Sequence, residues 1–390
     1  MARALRDAAL RLGIGAFAGR RLSSIQRTIA RWESPSERTG PSERYQHLLV
    51  HVFADRSSDL PALFEALHQF GTSKQRVDEL KLLVSDLAQP SAQLLDFVVP
   101  DQLHQIMTEI NGRIGLVPFV RLQLALHPAV QTCQRLITTE TELPVEFIKP
   151  VSRVLALAAR VAFETRDDEY AQQLYTEAVA VAGRGTDLGH RAAIRTSQTM
   201  VTLHANGQVE QARDIARAAT VDAHQGDSYA IRARAHAVHA EVCARTGQSG
   251  QASIALERAW KSAEQATVGD PHRSFSPDHL SGFEGLCALY SGDAERADER
   301  LQGAVNNLSA PREAVERGIV TADLALARLS LGEPAACVEL AHQVVDLAGH
   351  TTGRVPAQRL SDLRRTLRPW RTEPFVMELE DHIHDTLIGC

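Results

Sequence analysis

The sequence contains many histidines, which could bind a metal ion or act as an acid or base, but their spacing forms no known site. Among the 16 histidines, His236 and His239 are three residues apart and would share one face of a helix. His382 and His384 are two residues apart and would point away from each other. Neither pair is accompanied by the further ligands of a zinc motif such as HExxH. We therefore expect surface or packing histidines and predict no metal site.

Motifs for other catalytic chemistry are also missing from the sequence. It contains no GxxxxGK[ST], GxGxxG or GxSxG pattern. The pair Asp167–Asp168 lies in a predicted turn, where its negative charge would stabilise the N-terminus of the next helix. The 5 cysteines are scattered and include no CxxC pair, as expected for reduced thiols in the cytoplasm. No uncharged apolar run reaches the roughly 18 residues that suggest a membrane span. We expect a cytoplasmic protein that is not an enzyme and uses no cofactor.

The elements that hold the remaining polar residues are predicted to be helices in repeated pairs. Alanine is abundant and aromatic residues make up only 5% of the chain, which suits closely packed helices. In five segments an Ala-rich stretch meets a turn, and a small residue follows five positions later. The turn residues are Arg166, Gly207, Gly247, Gly292 and Gly332, and the small residues are Ala171, Ala212, Ala252, Ala297 and Cys337. A left-handed turn residue lets two helices fold back on each other, and the small residue lets their backbones approach.

This pattern resembles the tetratricopeptide repeat (TPR). The family's small–x6–Gly–x4–Ala–x6–Ala core matches at 159/166/171/178 and 285/292/297/304, and the resemblance covers roughly 147–349. The turns are about 40 to 45 residues apart, whereas the usual TPR period is about 34. A last helix pair, roughly 354–367 and 374–386, is predicted to cap the stack. The resemblance implies an α-solenoid whose concave groove binds a peptide, a small ligand or a protein partner.

The same resemblance indicates which polar residues face that groove. The positions that face inward in TPR proteins correspond here to Arg153, Arg160, His204, Arg234, Glu241 and His279. These are the candidate ligand-binding residues. The alternative is that they are polar residues on a hydrated concave surface without a ligand.

The N-terminal segment differs in charge from the rest of the chain. Residues 1–40 carry eight arginines and three acidic residues, although the whole chain has a net charge of −6. They are predicted to form three short helices, with Ser23 or Ser24 as the N-cap of the third. The apolar face of that third helix would consist of Ile25, Ile29 and Trp32. The opposite face would present side chains suited to reading the major groove of DNA, namely Gln26, Arg27, Thr28 and Arg31.

The stretch LSSIQRTIARWES resembles the turn and recognition helix of the lambda-repressor-like (XRE-type) helix-turn-helix family, and AFAGRRL resembles the helix before it. The resemblance implies binding to double-stranded DNA, usually as a homodimer. The residues in contact roles would be Ser24, Gln26, Arg27, Thr28 and Arg31. A DNA-reading head joined to a TPR-like stack resembles a class of bacterial regulators whose repeat domain binds a small peptide. The alternative is a basic amphipathic helix that merely packs on the next domain.

We therefore predict an all-α protein: a small helix-turn-helix bundle followed by an α-solenoid of TPR-like hairpins. The predicted parts are a DNA-binding domain over 1–55, a helical connecting region over 56–146, and a repeat domain with capping helices over 147–390. No stretch alternates with period two, so no substantial sheet is expected. The leading hypothesis is a transcriptional regulator whose repeat domain binds a ligand and dimerises. The alternative is a TPR-like protein-interaction scaffold with a vestigial head.

Overall fold

The protein is α-helical throughout the part that the structure describes. The computed structural model describes residues 1–12, 14–32, 40–54, 60–69, 80–81, 100–139, 143–205, 208–267, 269–270, 275–351 and 353–388. Within these ranges no strand is formed, and the bridge between Ile114 and Val117 is isolated. The predicted all-α class is therefore confirmed. No helix in this part of the chain is long and apolar enough to cross a membrane.

At the N-terminus, the described residues form a bundle of four helices that we call the head. They are α1 (Ala2–Arg11), α2 (Gly15–Ala18), α3 (Leu22–Trp32) and α4 (Glu43–Ala54). Fully buried side chains at its centre include Leu5, Phe17, Ile25 and Leu48. The Tyr45 ring of α4 packs edge-on against the Trp32 ring, with 4.7 Å between their centroids. The three predicted short helices are present, and α4 completes their core.

Between the head and the repeats, the described residues form three helices. They are α5 (Leu60–Gln69), α6 (Pro100–Gly112) and α7 (Phe119–Thr139). Pro100 begins α6 and Pro118 directly precedes α7, as expected for helix starts. Buried residues of α6 and α7 share one apolar core with α8, the first repeat helix. The domain boundary at residue 146 stays a prediction, and most of the helix predicted over 74–88 lies outside the described residues.

The rest of the chain consists of successive helix hairpins, as the repeat pattern predicts. The first helices of these hairpins are α8 (Val145–Glu164), α10 (Leu188–Ala205), α12 (Tyr229–Arg245), α14 (Pro277–Ser291), α16 (Ala314–Ser330) and α18 (Arg354–Thr366). The second helices are α9 (Asp168–Ala182), α11 (Val209–Gln225), α13 (Ser249–Gln265), α15 (Ala294–Asn307), α17 (Pro334–Thr351) and α19 (Pro374–Ile383). The predicted last helix pair is present as α18 and α19, and its role as a cap stays a prediction. This is the architecture of an α-solenoid of TPR-like hairpins.

The turns between paired helices have the predicted left-handed backbone. The dihedral φ is +64° at Arg166, +72° at Gly247, +85° at Gly292 and +84° at Gly332. Gly207, the fifth predicted turn residue, lies outside the described residues. The small residues five positions after the turns are all buried. The predicted seam between paired helices is therefore present in each repeat.

The solenoid curves until its last hairpin contacts its first two. The backbone N–H of Arg354, at the start of α18, donates to Oε2 of Glu164 at 2.8 Å, and its guanidinium donates to the carbonyl of Phe163 at 3.1 Å. The same guanidinium pairs with Asp168. Nε2 of Gln358 donates to the carbonyl of His204 at 3.2 Å. These contacts join residues far apart in sequence and close the stack of helices into a ring.

The head packs directly on this ring. Nη2 of Arg44 in α4 donates to the carbonyl of Thr165 in the α8–α9 turn at 2.8 Å. Glu43 forms an ion pair with Arg121 of α7, with 3.0 Å between Oε1 and Nη2. Helix α2 also contacts α9. The head and the first repeat thus meet along polar and apolar contacts.

Candidate ligand-binding cavity

A cavity of about 620 Å³ lies at the centre of the ring. Its wall is built mainly from the first helix of each hairpin, so that α8, α10, α12, α14, α16 and α18 all contribute. Among the described residues, Tyr175 of α9 is the only contribution from a second helix. The alternation arises because the first helices form the concave side of the solenoid and the second helices its outside.

Most of the cavity wall is apolar. Lining side chains of this kind include Leu157, Met200, Ile231, Val238, Phe283 and Ile319. Charged side chains interrupt this surface in separate groups. Such a combination of apolar walls and a few convergent polar groups is typical of ligand sites.

One charged group is centred on His279. Nε2 of His279 lies 3.3 Å from Oε2 of Glu316 and 3.9 Å from Oε1 of Glu313. Its Nδ1 accepts a hydrogen bond from the backbone N–H of Ser276 at 3.2 Å, which orients the ring. Burial lowers the pKa of His279, but the two carboxylates outweigh burial and raise it above its usual value. The two carboxylates therefore favour the positively charged form of the imidazole.

A second charged group is centred on Glu241, which is 2% exposed. Oε1 of Glu241 accepts from Nε of Arg245 at 2.8 Å and lies 3.5 Å from Nε2 of His204. Arg359 of α18 lies between this carboxylate and Asp323, with its Nε 3.3 Å from Oδ1 of Asp323. Burial opposes ionisation, yet Arg245 and His204 hold the pKa of Glu241 well below its usual range. Paired charges of this kind withstand burial because each has an opposite partner.

Glu164 belongs both to the cavity wall and to the contacts that close the ring. Its side chain is buried, lines the cavity and accepts the Arg354 backbone N–H. Nη2 of Arg160 lies 3.9 Å from its other oxygen, Oε1. Burial raises the pKa of Glu164 despite the nearby cations. A ligand that changes this environment would act on the ring closure as well.

The structure brings five of the six predicted groove residues to this cavity: Arg160, His204, Arg234, Glu241 and His279. Arg153 is absent from the lining. It precedes Ala156 and Arg160, which do line the cavity, by three and seven positions, so it continues the same face of α8. The binding roles of all six residues stay predictions.

Several lining residues were missed from the sequence. They are Glu164, Tyr175, Glu313, Glu316, Asp323 and Arg359. Glu164, Glu316 and Asp323 lie on first helices, so a full projection of each first helix onto its inner face would have included them. No sequence signal pointed to Arg359, because its place in the wall depends on closure of the ring.

The predicted DNA-reading face lies on α3 of the head. Gln26, Arg27 and Arg31 are exposed, whereas Ser24 and Thr28 are half-buried. The prediction that Ser23 or Ser24 caps this helix is wrong, because α3 begins at Leu22 and both serines lie in its first turn. Hydrogen bonds within the helix hold two of the side chains. Nε of Arg27 donates to the Ser23 carbonyl at 3.4 Å, and Oγ1 of Thr28 donates to the Ser24 carbonyl at 3.1 Å.

Two of the histidines noted in the sequence contact histidines on other helices. His236 contacts His224, with 3.0 Å between their Nε2 atoms. His382 contacts His342 of α17, with 2.8 Å between their Nδ1 atoms, and Asp346. Within the described ranges, no group of three or more His, Cys, Asp or Glu side chains has a geometry that could hold a metal ion.

Comparison with known proteins finds similarity in fold only. No family model and no curated protein matches the sequence. The structure of a Rap protein complexed with competence and sporulation factor is 16% identical, with a TM-score of 0.48, and the match covers 87% of this chain and 91% of that one. BtubC (BKLC) from P. vanneervenii is 14% identical, with a TM-score of 0.43, covering 61% of this chain and 94% of that one. We transfer no function from these structures.

A third structure is a putative kinesin light chain from Podosopora anserina with nearly identical TPR-like repeats. It is 20% identical, with a TM-score of 0.35, and the match covers 51% of this chain and 95% of that one.

The helix hairpins, their left-handed turns and the central cavity define the class of this protein. It is an all-α solenoid of TPR-like hairpins that carries a small helical head.

Proposed function

We propose that this protein is a non-catalytic, ligand-controlled regulator. Its central cavity binds a short peptide or another small ligand, and its head reads double-stranded DNA under the control of that ligand. The single observation that carries the proposal is the cavity, which is enclosed by six first helices and lined by charges of both signs. Its volume lies within the range of about 300–1,000 Å³ that is usual for small-molecule sites.

The charges of the cavity favour an amphoteric ligand such as a peptide. Arg160, Arg234 and Arg359 line the same space as Glu241, Glu316 and Asp323. A ligand with charged groups of both signs can interact with both sets, whereas a ligand with groups of one sign can interact favourably with only one of them. Peptides combine both charges with apolar side chains that suit the rest of the wall.

Cavity binding is tested by affinity selection from a pool of random short peptides. The full-length wild type is compared with Ala193→Trp, which places a large ring into the cavity, and with Ala180→Trp, which places it on an exposed position of α9. We expect the wild type and Ala180→Trp to enrich the same peptides and Ala193→Trp to enrich none of them. Equal enrichment by a folded Ala193→Trp variant would remove the cavity from the proposal.

The exposed face of α3 supports a DNA-reading role for the head. Its apolar side is used within the head, since Ile25 is fully buried and Ile29 and Trp32 pack on the same core. Gln26, Arg27 and Arg31 remain exposed; glutamine pairs well with adenine, and arginine with guanine or phosphate. A homodimer, which we include in the proposal, would present two such helices to two half-sites.

DNA reading is tested by selection of duplexes from a randomised pool. We expect full-length protein to enrich a motif, and Arg27→Ala to weaken binding to it by about 1–3 kcal/mol while relaxing the preference at one position. Arg3→Ala, an equal loss of charge at an exposed site on α1, is the control and should affect only the salt-dependent part of the affinity. Identical motifs and affinities for wild type and Arg27→Ala would exclude Arg27 from base contact.

Ligand control is proposed to act through the α8–α9 turn. Glu164 lines the cavity, and the carbonyl of the next residue, Thr165, accepts the hydrogen bond from Arg44 of the head. Arg354 ties the same turn to α18. A ligand that shifts the end of α8 would therefore change the surface on which the head rests. Such a change alters the orientation or freedom of α3, which is how binding in one site can bias another.

A protein-interaction scaffold with a non-reading head is the second candidate. The observation that favours it is the close packing of the head on the ring, where Leu12, Ile14 and His47 share a small void with Leu126 and His127. A head used only for packing should show no duplex binding even at low salt. A regulator should bind duplex with an affinity that falls steeply as salt is added, because phosphate contacts release counterions.

A further inference from the structure

Two carboxylates of the cavity wall, those of Glu313 and Glu316, lie close together at the start of the fifth hairpin. Glu316 is in the first turn of α16, and Glu313 directly precedes that helix. Both residues line the cavity, and their side chains keep accessible surface, with 38% exposed in Glu316 and 23% in Glu313. A ligand in the cavity can therefore reach both carboxylates.

Glu316 is held in its charged form inside the ring. Burial raises the pKa of Glu316, but the hydrogen bond and the charge of His279 outweigh burial and lower it below its usual value. The charges of Arg234 and Arg160 add to this lowering. The carboxylate is therefore an anion that can accept hydrogen bonds but cannot donate them.

Both carboxylates can bond a ligand without losing their partners in the protein. Each has two oxygens with about four lone-pair sites in total. In Glu316, Oε2 lies 3.3 Å from Nε2 of His279. In Glu313, Oε2 accepts the backbone N–H of Ala310 at 2.9 Å, and Oε1 lies 3.9 Å from the same imidazole nitrogen. Further lone pairs on these oxygens can accept hydrogen bonds from a ligand.

Two aromatic rings line the cavity beside the carboxylates. Phe283 follows His279 by four positions, so the two side chains share the inner face of α14. The centroid of the Phe275 ring lies 5.7 Å from that of His279 and 6.1 Å from that of Phe283. The face of an aromatic ring carries partial negative charge and attracts cations. Rings and carboxylates in this part of the wall therefore favour the same kind of ligand group.

We propose a subsite for one cationic group of the cavity ligand, an ammonium or a guanidinium, formed by Glu313, Glu316, Phe275 and Phe283. The inference rests on the proposed function, because it assigns chemistry to part of the same cavity. The carboxylates accept the N–H hydrogen bonds of the cation, and such charge-assisted bonds are stronger than neutral ones. The rings add attraction through their negative faces. In a peptide, the cation is the N-terminal amine or a lysine or arginine side chain.

The test measures binding of full-length protein to four pools of random hexapeptides. The first pool is unmodified, the second is N-acetylated, and the third is made without lysine, arginine and histidine. The fourth combines both changes and serves as the reference, because its peptides carry no cation. Weaker binding on acetylation alone identifies the N-terminal amine, and weaker binding of the third pool alone identifies a side chain.

We expect the wild type to bind the unmodified pool about a hundredfold more tightly than the reference pool, because two charge-assisted hydrogen bonds are gained. Glu316→Gln and Glu313→Gln should each lower this preference about tenfold. Phe283→Leu, which keeps an apolar side chain but removes the ring, should lower it about threefold. The matched control is Glu339→Gln on the exposed side of α17, the second helix of the same hairpin, and it should keep the full preference.

The preference is a ratio of two affinities measured on one sample of protein. A variant that is partly unfolded binds both pools less, but the ratio for its folded fraction is unchanged. Loss of the preference therefore reports on the subsite and not on the stability of the fold.

Two kinds of contrary result separate the subsite from the cavity. A wild type that binds the unmodified and reference pools equally, or an undiminished preference in both glutamine variants, overturns the cationic subsite. Cavity binding survives that result if Ala193→Trp still abolishes binding. No binding of any pool by folded wild type contradicts the cavity proposal and the subsite together.

Discussion

The charged side chains inside the ring are stabilised to different degrees. Glu241 has cationic partners on its own helix and on α18, whereas Arg160 lies 3.9 Å from its nearest carboxylate oxygen. Charges that are already paired stabilise the fold, because a buried ion without a partner is expensive. A charge with a more distant partner, such as Arg160, can pair with a ligand at a lower cost in free energy. We therefore expect binding to depend more on Arg160 than on Glu241.

The buried side chain of His236 makes the stability of the protein depend on pH. It is 2% exposed, and burial, followed by the charges of His224 and Arg258, lowers its pKa to about 4. The unfolded chain takes up the proton near pH 6.5, so stability is complete above that pH and is lost as pH falls towards about 4. We expect His236→Gln to lose less stability than the wild type between these pH values, as measured by thermal unfolding. Parallel curves for the two proteins would contradict this assignment.

Individual cavity residues were predictable where the repeat itself places them. Arg234 and His279 both lie 13 residues before a left-handed glycine, so the hairpin pattern orients them towards the groove. Arg359 was not predictable, since its contacts with Asp323 and Glu241 join distant parts of the chain. The prediction that Ser23 or Ser24 caps α3 was wrong because the helix already begins at Leu22.

At the scale of elements, each hairpin depends on close approach of its two helices. A Cβ atom added at Gly285 of α14 would lie 2.6 Å from Cγ of Leu301 of α15, and Leu301 is fully buried. Gly303, in the same hairpin, has no atom within 4 Å of an added Cβ. The two glycines therefore differ in packing, although each lies in a helix.

We expect Gly285→Ala to destabilise the protein by about 1–3 kcal/mol, because the clash outweighs the better helix propensity of alanine. Gly303→Ala is the matched control and should be neutral or stabilising by up to about 1 kcal/mol. Denaturant unfolding of the two variants measures both effects. If Gly285→Ala is as stable as Gly303→Ala, the close approach of α14 and α15 does not exist in solution.

The helix pairs themselves were predictable because local chemistry determines them. Left-handed turn residues and small seam residues act within one hairpin, and four of the five predicted turns have the expected positive φ. The curvature was not predictable, because it accumulates from the packing between neighbouring hairpins.

At the scale of the whole molecule, closure of the ring depends on Arg354. Its guanidinium bonds the carbonyls of Phe163 and Ala205 and pairs with Asp168, so it connects α18 with the first two hairpins. Arg354 is 6% exposed. Loss of this side chain would leave Asp168 and the two carbonyls with fewer partners and would loosen the wall of the cavity.

We expect Arg354→Ala to lower stability by about 3 kcal/mol, as is usual when one partner of a buried ion pair is removed. Arg365→Ala is the control on the same helix, since the Arg365–Asp362 pair is exposed and should contribute less than about 1 kcal/mol. Thermal and denaturant unfolding measure both. Equal stability of the two variants would show that the ring is not closed by Arg354.

Hydrogen–deuterium exchange of the full-length protein, with and without a peptide enriched by the selection, tests most directly whether a ligand binds in the cavity and affects the head. We expect slower exchange in the first helices that line the cavity, namely α8, α10, α12, α14, α16 and α18. We also expect a change at the α8–α9 turn and at α4 of the head, which the turn contacts through Thr165 and Arg44. Protection confined to the second helices, or to the head with none in the first helices, would contradict these expectations.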